Sequence, residues 1–181
     1  PLCRASLTGV SLAHDERRTL TDLLTQYGPD APTLCEGWTT GDLAAHLIVR
    51  ENDPIGAGGI MIKPLAGVTD RKMASLLLEP WPTVVERISA GPSGPTLFRI
   101  PAVEAAANGM EFFIHSEDIR RAQPGGAAPR DLGRPAEDEL WKRLSILARG
   151  LRRTTPVGLV LERSDRPEQR IRVKPGTETV T

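Results

Sequence analysis

The chain is short of aromatic residues, cysteine, histidine and net charge, and each shortage closes off a class of function. Aromatics make up 4% of the 181 residues, too few for the stacking platforms that hold single-stranded nucleic acid. Lys plus Arg and Asp plus Glu stand at 23 each, so the formal net charge is zero; no basic stripe stands out as a phosphate-binding face. No apolar run approaches the ~20 residues that span a bilayer, and the first residues lack the charged-then-apolar layout of a secretory leader. The expectation is a cytoplasmic protein without nucleic-acid or membrane partners. The two cysteines, Cys3 and Cys35, are too few for a disulfide framework and have no Cys or His at close ligand spacing. Both read as ordinary free thiols.

What is present is a chain long enough for one core, or one domain plus a small appendage. Arg outnumbers Lys nineteen to four, and Ala, Gly and Pro are abundant, a bias typical of a GC-rich genome. Helical periodicity runs from about Ser11 to Tyr27, where Gly28 and Pro29 end it. A second helix starts at Thr39 or Thr40, where Thr suits the N-cap and Asp42 the first turn, and stops by Pro54. Residues 54–67 read as a loop. Asp70–Leu78 and Thr83–Ile88 read as shorter helical pieces broken at Pro80-Trp81-Pro82, and 90–101 is again rich in Gly and Pro. Long helices follow at about Ala102–Gln123 and Pro135–Arg153, the latter with Leu140, Trp141, Leu144, Leu147, Ala148 and Leu151 as its apolar stripe. Beyond Pro156, Val157–Glu162 and Gln169–Val173 flank an Asp165-Arg166-Pro167 turn and predict a β-hairpin, with Val180 starting a third strand. Four long amphipathic helices predict a mainly α fold, a four-helix bundle with crossover loops. The predicted division is a helical bundle over 1–155 and a short β appendage over 156–181 packing on it.

Only three histidines occur. Glu111 and His115, four apart in a helix, share one face a turn apart. His46 lies mid-helix on the side of Leu43 and Leu47. Two imidazoles and a carboxylate make an ordinary zinc shell with one position left open, and the set also suits Fe²⁺ or Ni²⁺. Against this, a Glu-x-x-x-His pair is commonly a solvated contact, and His46 reads equally as a core histidine satisfied by a carbonyl. The apolar flanks of Glu111 (Met110, Phe112 and Phe113) favour a cation or donor partner for its carboxylate. Asp118 is placed either to orient His115 or to pair with Arg120 or Arg121. Arg50, a turn after His46, either faces the same cavity as an anion-binding group or is an exposed helix-end residue. His14, among Asp15, Glu16, Arg17 and Arg18, reads as surface. Gly56, Gly58 and Gly59 lack the strand and the Lys-Ser/Thr of a phosphate loop, and Ser116 lacks the flanking glycines of a nucleophile elbow. Trp38, Trp81 and Trp141 read as packing residues. Gly109, costly inside a helix, reads as a mark of close helix packing.

The stretch Thr33-Leu34-Cys35-Glu36-Gly37-Trp38-Thr39-Thr40, followed by Asp42-Leu43-Ala44-Ala45-His46-Leu47, resembles the signature of the DinB-like superfamily. More closely, it is similar to the metal-binding domain of mycothiol-dependent maleylpyruvate isomerase, and to an uncharacterised actinobacterial branch of metal-binding proteins. In that family a Gly-Trp-Thr turn leads into a helix whose His is the first ligand, and a later helix supplies Glu-x-x-x-His. Glu111 and His115 match that element, with Asp118 and Arg120 just beyond. The resemblance covers roughly residues 11–153. It implies a DinB-type bundle holding a zinc-like divalent ion through His46, Glu111 and His115, with mycothiol as cosubstrate at the open position. The implied activity is S-transfer or isomerisation of a small electrophile by a monomer or homodimer. The alternative is a non-catalytic metal-binding regulatory or interaction module on the same bundle. The family's isomerase has a sizeable C-terminal domain supplying a catalytic Arg. None of Arg163, Arg170 and Arg172 can be assigned to that role, so the resemblance lends little to isomerisation of maleylpyruvate itself.

Overall fold

The computed structural model describes residues 11–53, 66–176 and 179–180; Cys3 and most of the loop expected over 54–67, with Gly56, Gly58 and Gly59, lie outside them. Among the described residues the chain is mainly helical with one small C-terminal sheet, as the periodicity predicts. No described helix is long and apolar enough to cross a membrane. Backbone contacts divide the chain into two compact units, one ending at Pro129 and one beginning at Arg130.

In the first unit, α1 (Leu12–Tyr27) starts at Ser11, whose side chain accepts from the His14 amide, and ends at Gly28, where φ is +73°. The connector that follows is pinned to the start of α2 (Thr40–Asn52). The Thr40 amide donates to the Ala31 carbonyl at 2.9 Å, and the Gly41 amide to that of Pro29 at 2.8 Å. A Cβ on Gly41 would lie 3.1 Å from that same Pro29 oxygen, a tight contact that favours glycine there. Thr39 and Asp42 form a reciprocal capping box, satisfying two amides that the helix start leaves orphaned. Nearly all of α2 is buried, from Thr40 to Glu51.

Helix α3 (Ala66–Leu76) begins four residues earlier than Asp70. The expected break before helix α4 (Trp81–Ala90) is present, but the helix starts at Trp81 rather than Thr83: Pro80 is the N-cap and Pro82 sits in the first turn, where its missing N–H costs no bond. Val84 and Ile88, four apart, bury the inner face of α4. A 3₁₀ turn (Leu97–Arg99) leads to α5 (Pro101–Ala122). One core joins these helices, with Leu20 and Leu24 of α1, Leu43 and Leu47 of α2, Ile88 of α4, and Phe112 and Ile119 of α5 all fully buried. The α1–α5 pair packs most extensively. Gly109 makes that approach possible, since a Cβ there would sit 3.2 Å from Leu12 Cδ2. The backbones of α2 and α5 approach little, and long polar side chains bridge them.

The second unit contains α6 (Arg134–Thr154) and a sheet of order β2-β1-β3. Strands β1 (Gly158–Glu162) and β2 (Arg170–Lys174) form the predicted antiparallel hairpin, and β3 (Thr179–Val180) pairs parallel to β1. Ala148 is buried and Leu140, Trp141 and Leu144 are half-buried, whereas Leu147 is exposed, outside the expected stripe. Arg163 is buried and ties the hairpin to α6 through Asp138 (2.5 Å) and to the turn through Asp165 (2.7 Å). Arg170 is held by Glu162 at 2.8 Å.

Candidate metal centre

α2 presents His46 from its buried length, 8% exposed, and α5 presents Glu111 and His115 one turn apart. The structure brings all three together across 65 residues of sequence. Glu111 Oε1 lies 3.5 Å from His46 Nε2 and 3.3 Å from His115 Nε2, and one ligand atom from each residue falls within 4.8 Å of the others. The two rings meet edge to face, with centroids 5.7 Å apart. These separations are long for an N–H···O bond, which favours 2.7–3.2 Å. They match the edge of a tetrahedral shell, about 3.3–3.4 Å when donors lie ~2.0–2.1 Å from the ion. The donor set and its spacing therefore fit a divalent ion.

The groups around the cluster complete it. His115 Nδ1 lies 3.1 Å from Asp118 Oδ2, so an N–H on Nδ1 donates to the carboxylate and Nε2 keeps its lone pair facing Glu111. Of the two roles open to Asp118, the structure supplies the first. The arginines it could have paired with are taken by Glu117, at 2.5 Å from Arg120 and 2.8 Å from Arg121. Arg50 is not an exposed helix-end residue. Its Nε lies 3.6 Å from Glu111 Oε1, its Nη1 donates to Asn108 Oδ1 at 2.6 Å, its Nη2 donates to the Ala107 carbonyl at 3.1 Å, and its guanidinium covers the Phe98 ring at 5.1 Å. Burial alone would raise the Glu111 carboxyl. The facing imidazoles of His115 and His46, with the Arg50 charge, outweigh it and hold the group well below the ordinary carboxylate range. His14 is exposed, as expected, although Glu16 and Arg17 beside it are buried.

Two neighbours of the cluster escaped the sequence reading. Trp38 is half-buried, with its ring centroid 5.2 Å from that of His46; only the Gly-Trp-Thr lead-in hinted at it. Cys35 donates through Sγ to Asp118 Oδ2 at 3.3 Å and forms, with His115 and Asp118, a second group of donors within 4.8 Å. Burial and the Asp118 carboxylate push its thiol up to about 11. The loop reaches this position because the Leu34 amide donates to the Asp118 carbonyl at 3.2 Å, Thr33 Oγ1 donates to the Trp38 carbonyl at 2.9 Å, and Gly37 turns at φ +76°.

The first unit is thus a helical bundle with two histidines and a carboxylate converging between α2 and α5. Residues 10–57 match the family model of the mycothiol maleylpyruvate isomerase N-terminal domain. That match bears out the resemblance carried by the Gly-Trp-Thr turn and His46; Glu111 and His115 lie beyond it. No curated protein and no solved structure matches the chain.

Proposed function

We propose that His46, Glu111 and His115 hold one divalent ion, zinc by preference, and that the chain uses it to act on a small electrophile with a low-molecular-weight thiol, mycothiol by family likeness. The observation that carries this reading is the pair of 3.3 and 3.5 Å separations converging on Glu111 Oε1, with the Asp118 contact leaving His115 Nε2 free to ligate. Three protein ligands leave one tetrahedral position for a further ligand, the pattern of working rather than structural zinc sites. An ion there supplies positive charge that stabilises a thiolate near neutral pH. The chain's own groups do the rest. Asp118 keeps the His115 proton on Nδ1, Arg50 adds its charge beside the Glu111 carboxylate, and Trp38 packs against the His46 ring. The reaction class supported is thiol S-transfer or isomerisation through thiol addition.

The test is metal analysis after purification without chelator, followed by cobalt substitution and addition of mycothiol with a reactive electrophile. One ion per chain and a cobalt spectrum that shifts with the thiol are expected. His115→Ala should lose the ion and keep its helical circular dichroism. Absence of stoichiometric metal would sink the metal site. A full complement of ion with no response to thiol would instead favour a non-catalytic metal-binding module on the same bundle.

A further inference from the structure

A chain of buried polar groups leads away from the cluster into the core. Glu51 of α2 is 1% exposed and Asn108 of α5 is fully buried. Arg17 of α1 grips Glu51 with two bonds, 2.6 and 2.9 Å. Asn108 Nδ2 donates to Glu51 Oε1 at 2.5 Å, while Asn108 Oδ1 accepts from Arg50 Nη1 at 2.6 Å. Arg50 in turn lies 3.6 Å from Glu111. The orientation of the Asn108 amide is dictated at both ends. A carboxylate only accepts, so the NH₂ must face Glu51; a guanidinium only donates, so the carbonyl oxygen must face Arg50. Reversing the amide would break both bonds.

Burying this many polar groups in the middle of a helical bundle is not an efficient source of stability, since apolar side chains of similar volume commonly do as well or better. Its geometry is what it contributes. Arg50 is long and flexible, and it reaches Glu111 across two helices whose backbones approach little. The Asn108 oxygen and the Ala107 carbonyl fix two arms of the guanidinium and leave Nε aimed at the Glu111 carboxylate. We infer that Asn108 is a positioning residue for the metal ligand Glu111. It acts through Arg50 and is itself oriented by the buried Glu51–Arg17 pair. This rests on the metal-binding reading above and extends it to residues that touch no ion.

The test compares zinc and cobalt affinity, by competition with a chelating dye, in the full chain, in three single variants and in the double variant Asn108→Leu/Arg50→Met. Asn108→Leu removes the acceptor for Arg50, and affinity per folded molecule should fall about 10- to 100-fold, the usual effect of losing a ligand's support. The cobalt absorption should change with it. Asn108→Asp keeps an acceptor for Arg50 but sets a carboxylate against Glu51. It should therefore lose stability while its metal affinity stays close to that of the unaltered chain. Arg50→Met, on a partly exposed side chain, removes the same link from the other end and remains informative if Asn108→Leu fails to fold. Combining the two should lower affinity no further than Arg50→Met alone. Unchanged affinity in folded Asn108→Leu, or in Arg50→Met, overturns the inference while leaving the metal site standing. A chain that takes up no ion at all overturns both.

Discussion

Asp118 serves two groups with one oxygen, the Nδ1 of His115 and the thiol of Cys35. Asp118→Asn alters both, and each has its own readout. An amide presents either an acceptor or a donor to Nδ1, so the His115 tautomer is no longer imposed, and metal affinity should fall about 10- to 100-fold. The same change removes the negative charge that disfavours the Cys35 thiolate. In the metal-free protein the folded state holds that thiol protonated. The stability this contributes is therefore fully present below the ordinary thiol pKa and lost as pH rises through about 11. Alkylation of Cys35 by iodoacetamide should be slow at pH 8 and accelerate only toward that value, whereas in Asp118→Asn the rise should come at lower pH. Identical profiles would show that Asp118 does not govern the thiol. None of this was legible from Cys35 as a residue type, because its partner lies 83 positions away and no local pattern reports so distant a contact.

At the scale of elements, the sequence spoke clearly where physics is local. The i, i+4 spacing of Glu111 and His115, the Thr39–Asp42 cap ahead of His46 and the Gly28 stop are all present as the residues predict. It was silent where an element's role depends on its neighbours. The break at Pro80 is real, yet Trp81 and Pro82 read as part of it although they belong to the helix whose Val84 and Ile88 are buried on the core, and Asn108 has no signature apart from Glu51 and Arg50. Gly109 gives a quantitative test of the α1–α5 contact. Alanine there regains about 1 kcal/mol of helix propensity. Against that, its Cβ must displace the Leu12 tip from 3.2 Å, so the net change should stay within about 1 kcal/mol. Leucine at the same position must push the helices apart and should cost about 1–3 kcal/mol. Denaturant midpoints measure both; equal stability of the two variants would mean that the helices do not meet at Gly109.

For the molecule as a whole, the three candidate ligands are drawn from two stretches of different standing. His46 lies within the segment that matches the maleylpyruvate isomerase N-terminal model, and Glu111 and His115 lie outside it. The cluster exists because the first unit folds α5 against α1 while α2 lies alongside. All of its members belong to that unit, and Arg163 and Arg170 are engaged within the second. We propose the bundle and the C-terminal β segment as the two working parts of the chain.

On the proposed metal reading, the sparse backbone approach between α2 and α5 would make the bundle a gauge of its surroundings. An ion shared by His46, Glu111 and His115 is a clasp that only the folded chain offers, and an unfolded chain has no such grip. Free zinc at 100 times its dissociation constant should add about 2.7 kcal/mol. At about 2–4 °C per kcal/mol for a chain of this size, that raises the melting temperature by roughly 5–10 °C. Each further tenfold rise in zinc should add about 1.4 kcal/mol, half that increment, until other sites compete. A melting curve indifferent to zinc and to chelator would mean that nothing fastens the two helices. Otherwise the heat the protein withstands becomes a reading of the metal supply around it.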